Sequence, residues 1–196
     1  NQINRVLSTN SAPGEYSTGS ELVVLGYDPA DTATGAGFWE ELASVELGSS
    51  GSTLDSGTIA AKKYLWVQAS LENTGSLDNC KIRFNGSSSG DYSYRKSNDG
   101  GSDSTNVDDS GIGFMATNVA QNLFVNFFIT NESATEKLSI GHTVRDGGAG
   151  AGNVPNRKEW VGKWDITGSQ ITSIQAIEAG SGSFDTGSII KVWGSN

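Results

Sequence analysis

Few residues in this chain are of a type that does chemistry, and they do not combine into a familiar reactive group. The densest set is acidic. Asp99-Gly-Gly-Ser-Asp103 and Asp108-Asp109 put several carboxylates in one stretch, which could supply about three or four of the roughly six to eight oxygens that calcium takes. Their spacing departs from an EF-hand loop, and a solvated acidic loop is the ordinary use of such a segment. Asp99, Asp103, Asp108 and Asp109 are therefore weak metal candidates, and neither a metal nor a cofactor is expected. His142 is the single histidine, whereas nucleophilic triads and most zinc sites need a histidine with partners. It falls in register with Leu138, Ile140 and Val144, which predicts a structural position. Cys80 stands alone, so no intrachain disulfide can form, and it is expected to pack as a small hydrophobe. No GxSxG elbow, P-loop or HExxH occurs. A glycosidase carboxylate pair is defined in space rather than in sequence, and nothing singles one out, so no catalytic residue is expected. Trp39, Trp66, Trp160, Trp164 and Trp193, with Tyr92 and Tyr94, could stack on sugars or anchor an interface. Core or rim packing is the simpler use for most of them.

Whatever positions these residues is a glycine-rich, turn-rich scaffold. The chain has 196 residues, 35% of them apolar, with 26 glycines, 3 prolines and 1 methionine. That length suits one domain, which would bury roughly 70% of its unfolded surface without needing staples. The formal net charge of −9 disfavours binding to phosphate backbones. Lys62-Lys63, Arg95-Lys96 and Arg157-Lys158 are the only basic pairs, too short and scattered to make a groove for nucleic acid. No apolar run is long enough to span a membrane, and the pattern of a signal peptide is missing. A lone cysteine fits assembly in a reducing cytoplasm, although a cysteine-free extracellular protein would look similar, and a processed precursor stays open because residue 1 is Asn.

Taken in order, residues 1–19 read as a polar arm whose apolar cluster, Ile3, Val6 and Leu7, is the candidate interface with a neighbouring subunit. Residues 20–196 read as a single domain. Leu22 to Leu25 predicts a short strand, and Tyr27 to Asp31 a turn. Phe38 to Leu47 puts Trp39, Ala43, Val45 and Leu47 on one strand face, although a short helix fits its periodicity equally well. Tyr64 to Leu71 alternates most clearly, with Leu65, Val67, Ala69 and Leu71 inward. Lys81 to Asn85 should bury Ile82 and Phe84 and turn Lys81, Arg83 and Asn85 outward. Residues 86–111 form a long excursion with one short strand around Asp91–Arg95. Leu123 to Thr130 carries aromatics on both faces, which predicts cover on both sides. Leu138 to Val144 alternates again, and Trp160 to Ile166 follows the glycine-rich loop 147–152. At the C-terminal end, Ile171 to Gly194 holds two β-rich runs around Gly180-Ser-Gly182, read as a hairpin. Eight to ten short strands with turn signals between them predict an all-β antiparallel sandwich, with the jelly roll its common form.

Several segments bear a resemblance. KKYLWVQASLENTG (62–75), KIRFNG (81–86) with DYSYR (91–95), and ITSIQAIEAGSGSFDTGSIIKVWG (171–194) resemble small jelly-roll virion proteins of tailed bacteriophages. The shared pattern is an aromatic-Leu strand, an (L/I)RFNG turn with a nearby Tyr, and a final F-x-x-GS-x-I-x-V-x-G strand. Phe184, Gly187, Ser188, Ile190, Val192 and Gly194 match that last element. The resemblance covers about 60% of the chain, in order, and implies an antiparallel jelly-roll β-sandwich with long Gly/Ser-rich loops. It implies a non-enzymatic role on the virion surface, a capsid decoration or cement protein first and a fibre-type receptor- or glycan-binding domain second. The implied partners are the major capsid protein or other virion proteins and further copies of the chain, a trimer being expected, with a glycan as the alternative. No catalytic residue is carried over.

Overall fold

A computed structural model describes residues 6–9, 13–15, 39–117 and 119–196. The chain divides into two compact units, Asn1–Ala36 and Gly37–Asn196. The expected strand at Leu22–Leu25, the turn at Tyr27–Asp31, Ile3 and the boundary between residues 19 and 20 lie outside the described residues.

The described part of the second unit is β throughout, in twelve strands: β1 (Glu40–Glu46), β2 (Thr53–Asp55), β3 (Tyr64–Leu71), β4 (Leu77–Phe84), β5 (Tyr92–Asn98), β6 (Ser104–Asp109), β7 (Ile112–Thr117), β8 (Leu123–Thr130), β9 (Lys137–Arg145), β10 (Asn156–Trp164), β11 (Ile174–Glu178) and β12 (Ile189–Ser195). Eight form one sheet in the order β1-β12-β3-β8-β9-β10-β5-β6, and four form the other in the order β2-β11-β4-β7. All pairings are antiparallel. The two sheets close over one apolar core, which makes the unit a β-sandwich.

The clearest alternations fold as their patterns require. Leu65, Val67, Ala69 and Leu71 of β3 and Leu123, Val125, Phe127 and Ile129 of β8 are all at most 2% exposed. Period 2 with one apolar face is satisfied when that face lies over a core. The RFNG turn has a physical reason as well. Asn85 and Gly86 both adopt positive φ, at 51° and 68°, a left-handed conformation that Asn and Gly tolerate best. The Asn85 carboxamide oxygen accepts from the Thr172 and Ser173 amides at 2.8 and 3.1 Å. The nearby Tyr is Tyr92, whose buried hydroxyl accepts from the Phe84 amide at 2.8 Å. Burial is the main reason its pKa is pushed up to about 12. The closing motif is equally structural. Phe184, Ser188, Ile190 and Val192 are fully buried, and the Ser188 hydroxyl accepts from the Glu72 amide at 2.9 Å.

Several expectations are corrected. The runs around Gly180-Ser-Gly182 are not a hairpin, because β11 lies in the small sheet and β12 in the large one. The glycines serve close approach instead: a Cβ on Gly182 would collide with the Ser76 carbonyl, and one on Gly180 would lie 2.7 Å from Asp78 Cβ. The excursion 86–111 holds two strands, β5 and β6, which pair as an edge hairpin of the large sheet, and a further strand, β7, follows where the pattern predicts none. Residues 40–46 are a strand, and a bulge between Glu41 and Ala43 puts Trp39 on the face opposite to Ala43 and Val45. Trp39 packs on the outside, against Trp66 and Phe128. Lys81 is buried rather than outward and pairs with Asp109.

Candidate interaction face of the larger sheet

The decisive departure is β9. The expected apolar set Leu138, Ile140, His142 and Val144 faces solvent, with Leu138, Ile140 and Val144 56%, 54% and 40% exposed. Facing the core instead are Lys137, Ser139, Gly141 and Thr143. The neighbouring strands explain this inversion. Gly141 stands between Phe127 of β8 and Trp160 of β10, its partners in register. Those two rings close over the missing side chain with centroids 5.3 Å apart. A Cβ at Gly141 would lie 2.5 Å from Trp160 Cε2 and 2.7 Å from Phe127 Cβ. Ile112 from the small sheet fills the space under Gly162 in the same way, 2.6 Å from where a Cβ would sit. The rings on both flanks of Gly141 thus leave no room for a side chain there, and with Gly141 inward the alternation turns Ile140 and its neighbours outward. Lys137, at its end, is enclosed by donating from Nζ to the carbonyls of Thr135 and Ile166 at 2.6 and 2.9 Å, and burial lowers its pKa.

With its aliphatics turned outward, β9 completes an apolar row across the large sheet. Trp193, Trp66, Phe128, Ile140 and Val161 are successive register partners on β12, β3, β8, β9 and β10. Adjacent strands lie about 4.8 Å apart, so the row is about 19 Å long. Glu41 precedes it on β1 and Arg95 follows it on β5. Trp66 stacks on Trp193 at 4.7 Å and on Phe128 at 5.9 Å. Phe124, Phe128 and Val161 remain 46%, 44% and 47% exposed, so the outer cover expected over β8 is not complete. Two depressions flank Leu138: one of about 400 Å³ lined by Trp39, Tyr64, Phe128 and Ile140, and one of about 480 Å³ lined by Tyr94, Val107 and Val161. The charged groups around them are largely neutralised in pairs, Lys163–Glu136 at 3.0 Å, Lys63–Glu132 at 2.9 Å and Arg157–Glu159 at 3.5 Å.

The acidic candidates do not converge. Asp99 accepts from the Arg157 amide at 2.8 Å and from Asn156 at 3.1 Å, and these bonds lower its pKa. Asp103 pairs with Arg95 at 3.2 Å. Asp108 adopts a positive φ of 51°. Burial alone would raise the Asp109 carboxyl, but hydrogen bonding and charge from Lys81 hold it below the usual range, helped by the Ser110 amide and the Tyr94 hydroxyl. The six residues of β6 separate Asp103 from Asp109 by roughly 20 Å, beyond the reach of one ion. Among the described residues no group of three or more His, Cys, Asp or Glu is placed to hold a metal.

Cys80 is fully buried, its thiol 3.4 Å from Glu178 Oε2, and burial pushes its pKa well above the usual thiol range. That keeps it protonated and inert. His142 lies exposed on the outer face, in register with Asn126 and Glu159. Of the arm cluster, Val6 and Leu7 are 53% and 64% exposed, and Ile3 is outside the described residues.

No family model, curated protein or solved structure matches the chain. Among the described residues no helix is long and apolar enough to cross a membrane.

Proposed function

We propose that this chain is a non-enzymatic structural protein of a tailed-phage virion, a capsid decoration or cement subunit of jelly-roll type, and that it works by being covered by other protein on the outer face of its larger sheet. The observation that carries this reading is the inverted β9. Its aliphatic residues are on the solvent side, and its core side is reduced to small residues and one lysine. A strand with that pattern lowers its free energy when a second surface removes Leu138, Ile140 and Val144 from water. The resemblance of the β3, RFNG and C-terminal segments to virion proteins supplies the setting.

The depression lined by Trp39, Tyr64 and Phe128 favours glycan binding as a second reading. Sugars need hydrogen-bonding side chains beside the aromatic platform, and the lining there is almost wholly apolar, which favours a protein partner. Mass spectrometry of purified particles tests the reading. The protein should be present at a stoichiometry tied to the capsid lattice, and its removal should lower the temperature at which heads open. Absence from particles, together with binding on a glycan array, would replace this reading by the second one.

A further inference from the structure

We infer that the outer face of the large sheet is an isologous contact, in which the apolar row of one copy packs against the same row of a second copy. The inference rests on the reading of this face as one that protein covers, and it names that protein as the chain itself.

The first argument is area. Tyr64, Phe124, Phe128, Leu138, Ile140, Val144 and Val161 are 36% to 56% exposed, on the order of 600 Å² of apolar-residue surface, at the upper limit for a monomer that keeps such a patch bare. With the polar residues between them, the face approaches the roughly 800 Å² that each partner contributes to a stable interface.

The second argument is shape and charge. A two-fold axis parallel to the strands, passing above Phe128, the middle of the seven register positions from Glu41 to Arg95, sets the two rows antiparallel. Leu138, which lines both depressions, and Ile140 on the same strand then lie one strand from the axis. The aromatic end of one row, Trp193 and Trp66, meets the aliphatic end of the other. The same operation places the Glu41 end of each row over the Arg95 end of its mate. Within one copy Glu41 has Lys191 only at 3.9 Å, and the Arg95 side chain is 58% exposed beside Asp103. An axis along the row would instead oppose like charges. The chain's net charge of −9 acts against any self-contact, and the paired charges around this face keep that repulsion small locally.

The test uses the full chain. Light scattering on size-exclusion fractions should give twice the 20.5 kDa chain mass. Ile140→Arg should return it to a single chain mass, weakening association by at least about 100-fold because each copy would bury an unpaired guanidinium in the apolar row of the other. Ile140→Cys should be joined into a covalent dimer by a flexible bis-maleimide, because facing sheets about 10 Å apart are too far for a direct disulfide and buried Cys80 cannot compete. Thr53→Cys, exposed on the small sheet, should not. Near-ultraviolet circular dichroism of each variant checks that the sandwich is intact. A mass of three chains, or a wild-type dimer that Ile140→Arg leaves whole, overturns the two-fold contact. If the wild type is monomeric at 100 μM and Ile140→Arg abolishes its attachment to particles, the face belongs to the shell and the second-copy inference fails while the virion reading stands. A dimer that behaves as expected but never appears on particles leaves this contact intact and removes the virion reading.

Discussion

Replacing two neighbouring residues of β9 should give stability changes opposite to those their types suggest. Ile140 is an aliphatic in mid-strand, and Gly141 is a glycine in a strand interior, where Ala ordinarily stabilises by about 0.5–1 kcal/mol. On the usual reading Ile140→Ser would be severe and Gly141→Ala harmless or helpful. The structure requires the reverse. Ile140 is 54% exposed, so it realises about half of the roughly 1.5–3 kcal/mol that full burial gives. Ile140→Ser should cost about 1 kcal/mol in the single chain, measured at a dilution where copies do not associate. A Cβ on Gly141 would sit 2.5 Å from Trp160 Cε2 and 2.7 Å from Phe127 Cβ, and both residues are at most 2% exposed. Neither contact is the free end of a flexible chain, so a ring or a backbone segment must shift, at about 1–3 kcal/mol for an overpacked methyl. Equilibrium urea unfolding of the two variants, with the denaturant slope unchanged, measures both values. If Gly141→Ala is neutral or stabilising while Ile140→Ser costs more than about 2 kcal/mol, β9 faces the other way and the docking face does not exist.

The remaining predictions concern buried charge and the arm. Lys158 is 6% exposed, and burial first, with Lys96 and Arg145 nearby, lowers its pKa to about 8. Between pH 8 and 10.5 the unfolded chain therefore binds more protons at this site than the folded one, so stability should rise with pH across that window. At about 1.36 kcal/mol per unit the burden at pH 7 is about 3 kcal/mol, so Lys158→Met should stabilise by about 1–3 kcal/mol and flatten the rise, which thermal melts at pH 7 and pH 9.5 would detect. Lys81→Met should cost about 3 kcal/mol in a urea melt at pH 7 by leaving the Asp109 carboxylate without its cation in a mostly buried site. Because the folded Asp109 pKa is depressed, its contribution is present above the ordinary carboxylate pKa and fades as pH falls through the folded value; a wild-type acid titration lacking that loss would refute the assignment. If the arm 1–19, whose Ile3, Val6 and Leu7 are the candidate interface with a neighbouring subunit, adds to attachment, deleting it should leave particles that assemble but lose this protein, and full occupancy by the truncated chain would exclude the arm.

What could be read from the sequence followed how evenly each strand's two faces differ. In β3 and β8 the inward positions are uninterrupted Leu, Val, Ala, Phe and Ile, and both strands have the bounds their patterns predict. β6 is hidden in the sequence because five of its six residues are exposed and only Val107 is aliphatic. β7 is hidden because Gly113 breaks its run; that glycine exists to admit Tyr94, whose hydroxyl oxygen would lie 2.6 Å from a Cβ there. Trp39 was placed on the wrong face by one bulged residue, which inverts every position before it. Of the candidate face only one part is legible, the aromatics on both sides of β8, which ask for cover outside as well as inside. Period 2 identifies which residues share a side, and it leaves open which side is the core.

For β9 that choice is made by other strands. Trp160 and Phe127 are far apart in sequence, and only their register brings both rings over Gly141. Once they meet there, Leu138, Ile140 and Val144 have no place inside. Exposing three aliphatics alone would be a cost without return, and a core of smaller rings with β9 turned inward would avoid it. The arrangement becomes favourable when the outer side is also buried, because the same eight strands then present two apolar faces, one closed by the small sheet and one by protein from outside. The interior packing at Gly141 and the exterior row through Ile140 are thus one constraint seen from two sides. A substitution that relaxes the first, such as Trp160→Leu, removes the reason for the second. It should loosen β9 and weaken association even though residue 160 touches no partner, and hydrogen exchange along β9 with light scattering on the same sample would register both losses together. Weakened packing with unchanged association would separate the two faces and refute their coupling.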